Sequence, residues 1–115
     1  YPFTADRMAA ARKDWDGWRA AGVRLVLRPN SMLVGHNLPV FYAVRLGNEY
    51  RHAWKHGMIG SDFDSLTGQW ATQGPSLYTM GRLNSRPDLT VEAILDEYYT
   101  AFGPAAAAVK DYFTH

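Results

Sequence analysis

A chain of 115 residues suffices for one domain, and its balance of 47% hydrophobic to 20% charged residues excludes an intrinsically disordered segment. A net charge of +1 gives no sign of nucleic acid or an anionic membrane as the main partner, so neither is expected. The absence of cysteine excludes disulfides and thiolate metal sites, and no apolar run reaches the length of a membrane span.

Residues 4–21 read as a helix. Met8, Ala11, Trp15 and Trp18 recur at spacings of three and four and predict its buried stripe. Asp6, Arg7, Arg12, Lys13, Asp16 and Arg19 fill the other faces. Thr4 is placed to cap the helix and Gly22 to end it. Val23–Leu27 then predicts a strand, stopped at Pro29, which has no N–H for a ladder. A loop rich in Asn, Ser, Gly and His follows. A second helix is expected over residues 40–56, with Val40, Ala43, Val44, Gly47, Tyr50 and Trp54 inward and Arg45, Glu49, His52 and His56 outward. Gly57 ends it, and Met58–Phe63 is the second expected strand.

Helix, glycine, strand and polar loop thus occur twice, with Gly22 and Gly57 35 residues apart. That period and order fit consecutive units of an α/β fold; a (β/α)8 barrel of roughly 250 residues spends roughly 30 on each unit. Two parallel strands alone cannot form a sheet with both faces covered. The expected fold class is therefore α/β, with residues 1–74 as the last two units of a larger barrel. Residues 75–115 follow as terminal helices packed on it. The start at Tyr1 without methionine fits processing or excision from a longer protein, and the rest of the barrel is an expected partner. Pro75 is expected at a first helical position leading Ser76–Leu83. Thr90 caps the next helix, with Val91, Ile94, Leu95, Tyr98 and Phe102 as its stripe. Gly103-Pro104 precedes a last helix that packs through alanines, Val109, Tyr112 and Phe113.

Candidate chemistry gathers where the expected strands end. Asp62 and Asp64 stand two apart and on a continuing strand share a face, about 7 Å apart. Glycoside hydrolysis uses such a carboxylate pair; loop capping and the binding of substrate hydroxyls are the competing roles. Gln69 and Trp70 follow, the indole either a stacking platform for a sugar or a lid over the rim. Aromatic residues make up 14% of the chain, more than a small core uses. Arg28, Asn30, His36 and Asn37 lie on and after the first strand's end. Arg28 suits a uronate carboxylate as a bidentate fork, and His36 a sugar or a proton-transfer role. His52 and His56 have metal-ligand spacing, but Ala53 stands where a zinc protease helix carries its glutamate, so no metal site is expected. No phosphate loop, nucleophile elbow or dinucleotide fingerprint is present, and no cofactor is expected.

Several motifs resemble a known family. Trp70-Ala71-Thr72-Gln73, Leu77-Tyr78, Gly81-Arg82-Leu83 and Pro87-Asp88-Leu89-Thr90 resemble the end of the catalytic barrel in α-glucuronidase-like glycoside hydrolases. Ile94-Leu95-Asp96-Glu97-Tyr98-Tyr99, Phe102-Gly103-Pro104-Ala105-Ala106 and Tyr112-Phe113 are similar to a related bacterial glycoside-hydrolase-like family of unknown function, number four-eight-three-eight. Relatives carry a tryptophan where this chain has Ser85. The resemblance implies a (β/α)8 barrel ending in Val23–Leu27 and Met58–Phe63. It also implies a polysaccharide or glycoside ligand, with most catalytic acids on earlier strands.

Overall fold

The computed structural model describes residues 4–29, 41–63 and 69–114. The order of elements is α1 (Ala5–Ala20), β1 (Leu25–Leu27), α2 (Ala43–Lys55), β2 (Met58–Ser61), α3 (Trp70–Ser85), α4 (Val91–Thr100), a 3-10 turn (Gly103–Ala105) and α5 (Ala106–Thr114). The two strands pair in parallel, so the chain has an α/β core in an otherwise helical molecule. No helix among the described residues is long and apolar enough to cross a membrane.

Both αβ junctions are built alike. Gly22 and Gly57 adopt φ of 85° and 81°, the left-handed conformation that costs other residues a Cβ clash. Gly22 N–H donates to Arg19 O at 2.9 Å, and Gly57 N–H to Trp54 O at 3.3 Å. Both strands are shorter than their sequences suggested. Val23 is still tied to α1: its N–H donates to Trp18 O at 3.0 Å, and its carbonyl accepts from Arg19 Nη1 at 3.0 Å. At the other end of the ladder, Asp62 N–H donates to Leu27 O at 3.0 Å beyond the last residue of β2.

A bulge sets which side chains face where. Leu25 pairs with Met58 but Val26 pairs with Gly60, so Ile59 is the extra residue. Leu27, Met58 and Phe63 pack against the core formed by Leu46, Tyr50, Met80, Leu83 and Ile94. Val26 and Ile59 are 55% and 53% exposed, which leaves the other face of the sheet apolar and bare. Ser61 turns inward, its hydroxyl donating to Asn84 Oδ1 at 2.9 Å. The same oxygen accepts from Tyr50 Oη at 3.0 Å, while Asn84 Nδ2 donates to Met80 O at 2.9 Å. Asn84 therefore joins α2, β2 and α3 at one point.

The helices correct several expected faces. In α1 the inward side chains are Met8, Arg12, Trp15 and Arg19, with Ala11 and Trp18 exposed. The helix buries no residue fully and is held to α2 by polar contacts instead. Arg12 Nε donates to Glu49 Oε1 at 3.0 Å and Oε2 at 3.2 Å. Trp15 Nε1–H donates to His56 O at 3.1 Å, satisfying a carbonyl at the end of α2. Glu49, expected outward, is thus buried, whereas Val44 and Trp54, expected inward, are exposed. The inward face of α2 is Ala43, Leu46, Gly47, Glu49, Tyr50 and Ala53. At Gly47 a Cβ would stand 2.6 Å from Val91 Cγ2, so the missing side chain lets α4 approach α2.

Helix α3 begins five residues before its expected start, and Pro75 lies buried inside it. The boundary expected at residue 74 falls within this helix. Gln69 O accepts from the N–H groups of Thr72 and Gln73 at 3.2 and 2.9 Å, which supplies the first turn. Packing of that turn on Tyr98 of α4 through Gly74 outweighs the local signal of the proline. Ser76 Oγ accepts the N–H of Tyr42, the residue that opens α2. Thr90 Oγ1 caps α4 through Ala93 N–H at 3.1 Å, as its sequence predicts. Tyr99 takes the buried place expected for Phe102, which is exposed beyond the helix and meets Tyr98 edge to face. In α5 Phe113 is buried and Tyr112 exposed.

Gly57 tests the junction. A Cβ there would fall 2.6 Å from the Arg19 guanidinium, in addition to the strain of positive φ. Gly57→Ala is expected to destabilise the fold by about 1–2 kcal/mol, read as a lowered denaturation midpoint in urea. An unchanged midpoint would contradict the arrangement.

Candidate functional site

Parallel pairing puts the C-terminal ends of β1 and β2 side by side, where an α/β sheet presents its ligand-binding loops. Arg28 leaves β1 on the bare face and Asp62 leaves β2 on the same face. The Arg28 Nε–H donates to Asp62 Oδ2 at 2.8 Å, and both side chains are exposed, at 48% and 64%. Phe63, next along, turns back into the core. The alternation brings a guanidinium and a carboxylate together at the mouth of the sheet, above Val26 and Ile59.

The other expected residues divide into two groups. Asn30, His36, Asn37 and Asp64 lie outside the described residues. Gln69 and Trp70 are described, but they open α3 instead of lying on a loop. Gln69 uses its carbonyl to begin the helix, and its side-chain Oε1 is buried without a hydrogen bond. Trp70 is 53% exposed, with one ring edge over Gly74 a turn further on. Arg28 and Asp62 are thus brought together by the sheet, and Trp70 is offered to solvent at a helix N-terminus.

Two polar groups were not legible in the sequence. Glu97 accepts from Tyr78 Oη at 2.8 Å and from Arg82 Nε at 3.1 Å, joining α3 to α4. The hydrogen bond from Tyr78 holds the Glu97 carboxyl below its usual range, and the same bond raises the Tyr78 phenol. The second group lies at the opposite end of the strands. Asp16 of α1 reaches His52 and His56 of α2, and the three donor atoms lie within 4.8 Å of one another. Burial, and then the neighbouring His56 and Arg12, hold the His52 imidazole below its ordinary value. The spacing of the histidines was visible, but Asp16 was not, because the apolar stripe of α1 pointed to a different inward face.

No family model, curated protein or solved structure matches the chain.

An ion pair this exposed contributes little to stability, because water and salt screen it. Asp62→Asn is expected to change the unfolding free energy by less than about 1 kcal/mol. The urea midpoint of the variant checks this. A loss well beyond that would make the pair structural and remove the reason to regard it as a site.

Proposed function

We propose that β1 and β2 are two strands of a larger α/β barrel whose strand ends bind carbohydrate, and that the whole protein hydrolyses glycosidic bonds. The observation that carries the reading is the bare face of the sheet, where Val26 and Ile59 are about half exposed beside the Arg28–Asp62 pair. Parallel sheets occur with both faces covered. Further strands closing into a barrel would bury those two side chains in its interior and place Arg28 and Asp62 at its mouth.

The chemistry at that mouth suits a sugar. A carboxylate accepts from sugar hydroxyls. The Arg28 fork suits a uronate carboxylate, which would compete with Asp62 for the guanidinium. The exposed indole of Trp70 suits the apolar face of a pyranose ring. Asn30, His36 and Asn37 from the loop after β1, with Gln69, complete the proposed substrate-binding set. In the enzyme, Asp62 and Asp64 supply the carboxylate pair, one as acid and one as base or nucleophile. The resemblance of the segment after Trp70 to α-glucuronidase-like hydrolases supports the same substrate class. A second reading is favoured by the openness of Asp62, which lacks the enclosed setting common to catalytic carboxylates. In that reading the barrel holds sugar without cleaving it.

Substitution in the whole protein, with glucuronic-acid-bearing xylooligosaccharides as the probe, separates these readings. Trp70→Ala is expected to weaken binding in calorimetry by about 1–3 kcal/mol. Asp62→Asn is expected to lower turnover more than affinity if the carboxylate is catalytic, and affinity alone if it only holds a hydroxyl. Variants that bind and turn over like the parent would place the ligand elsewhere.

A further inference from the structure

We propose that Asp16, His52 and His56 form a binding site for a zinc-class divalent cation that bridges α1 to the C-terminal end of α2. His52 and His56 stand one helical turn apart, with stacked rings 4.0 Å between centroids. Asp16 arrives from the neighbouring helix, where Trp15 beside it donates to His56 O at 3.1 Å. Its Oδ1 lies 2.6 Å from His56 Nδ1 and 3.7 Å from His52 Nε2. Bonds of about 2.0–2.1 Å to a tetrahedral zinc ion put neighbouring donors about 3.3 Å apart. The two separations straddle that value, and all three donor atoms lie within 4.8 Å of one another, so side-chain rotations that bring them to that spacing would seat an ion.

An independent observation points the same way. His52 Nε2 is removed from solvent and makes no hydrogen bond. A desolvated nitrogen with no partner is costly, and a cation between it and Asp16 would satisfy it. The nearby Arg12 guanidinium is engaged by Glu49, which offsets its charge. Two imidazoles and one carboxylate select zinc or a neighbouring transition ion over magnesium or calcium, which prefer oxygen. Three protein donors leave a fourth position for water. The site lies at the N-terminal end of the strands, away from Arg28 and Asp62, and does not depend on the carbohydrate reading.

The test is a titration of the full protein with zinc chloride at neutral pH, with magnesium chloride as control. It is followed by calorimetry and by the histidine ring signals in NMR. One equivalent of zinc is expected to shift the His52 and His56 rings and to leave His36 and His115 unmoved, with no response to magnesium. Asp16→Asn, and the double variant His52→Gln with His56→Gln, are each expected to weaken zinc binding at least tenfold. Rings of His52 and His56 that stay unmoved at stoichiometric zinc would overturn the proposal. So would a folded double variant that binds zinc as the parent does. The parent spectrum decides the matter even if a variant does not fold.

Discussion

Parallel strands cannot be joined by a hairpin, so the pairing of β1 with β2 depends on the crossover that α2 provides. That helix is also where the other helices meet. Leu46 and Tyr50 reach the sheet residues Leu27 and Met58 through one cluster, and Met80, Leu83 and Ile94 of α3 and α4 close it. Ala43 joins a second cluster with Val91, Leu95, Tyr98 and Phe113. Gly47 permits the close approach of α4, and Ser76 of α3 receives the first N–H of the α2 entry. Without α2 the two short strands would lose Leu46 and Tyr50, through which Leu27 and Met58 join the main core.

The first helix is attached by different physics. It contributes no fully buried side chain, and its grip on α2 is a line of directed contacts from Arg12, Trp15 and Asp16. Arg12 meets Glu49 in the middle of α2, while Trp15 and Asp16 land on His56 at its end, and the Arg19 guanidinium lies over the left-handed Gly57. The result is a polar seam at one end of the strands and an exposed ion pair at the other. These two ends are the sources of the two proposed activities, cation binding and carbohydrate binding.

Much of the framework was legible because it rests on local chemistry. Thr4 and Thr90 cap as their hydroxyls require, and Gly22 and Gly57 stop helices as their freedom at positive φ allows. The parallel α/β arrangement followed from the repeat of these signals. The faces of α1 and α2 were not legible, because they are set by partners far along the chain. Glu49 is buried only because Arg12, 37 residues earlier, meets it. The start of α3 was hidden by Pro75, whose usual meaning as a first helical residue is overruled by packing on Tyr98. Within the site, parallel strands implied that Arg28 and Asp62 lie at the same end of the sheet, but their ion pair was not legible, because the bulge at Ile59 leaves no mark in composition or periodicity.

The central claim is that the bare face and the strand ends form the mouth of a carbohydrate site. The most direct measurement is a residue-resolved NMR titration of the protein with acidic xylooligosaccharide. The account predicts saturable shifts centred on Arg28, Asp62 and Phe63 and on the Trp70 indole, with the α1–α2 seam undisturbed. Shifts confined to that seam, or none at saturating oligosaccharide, would contradict it.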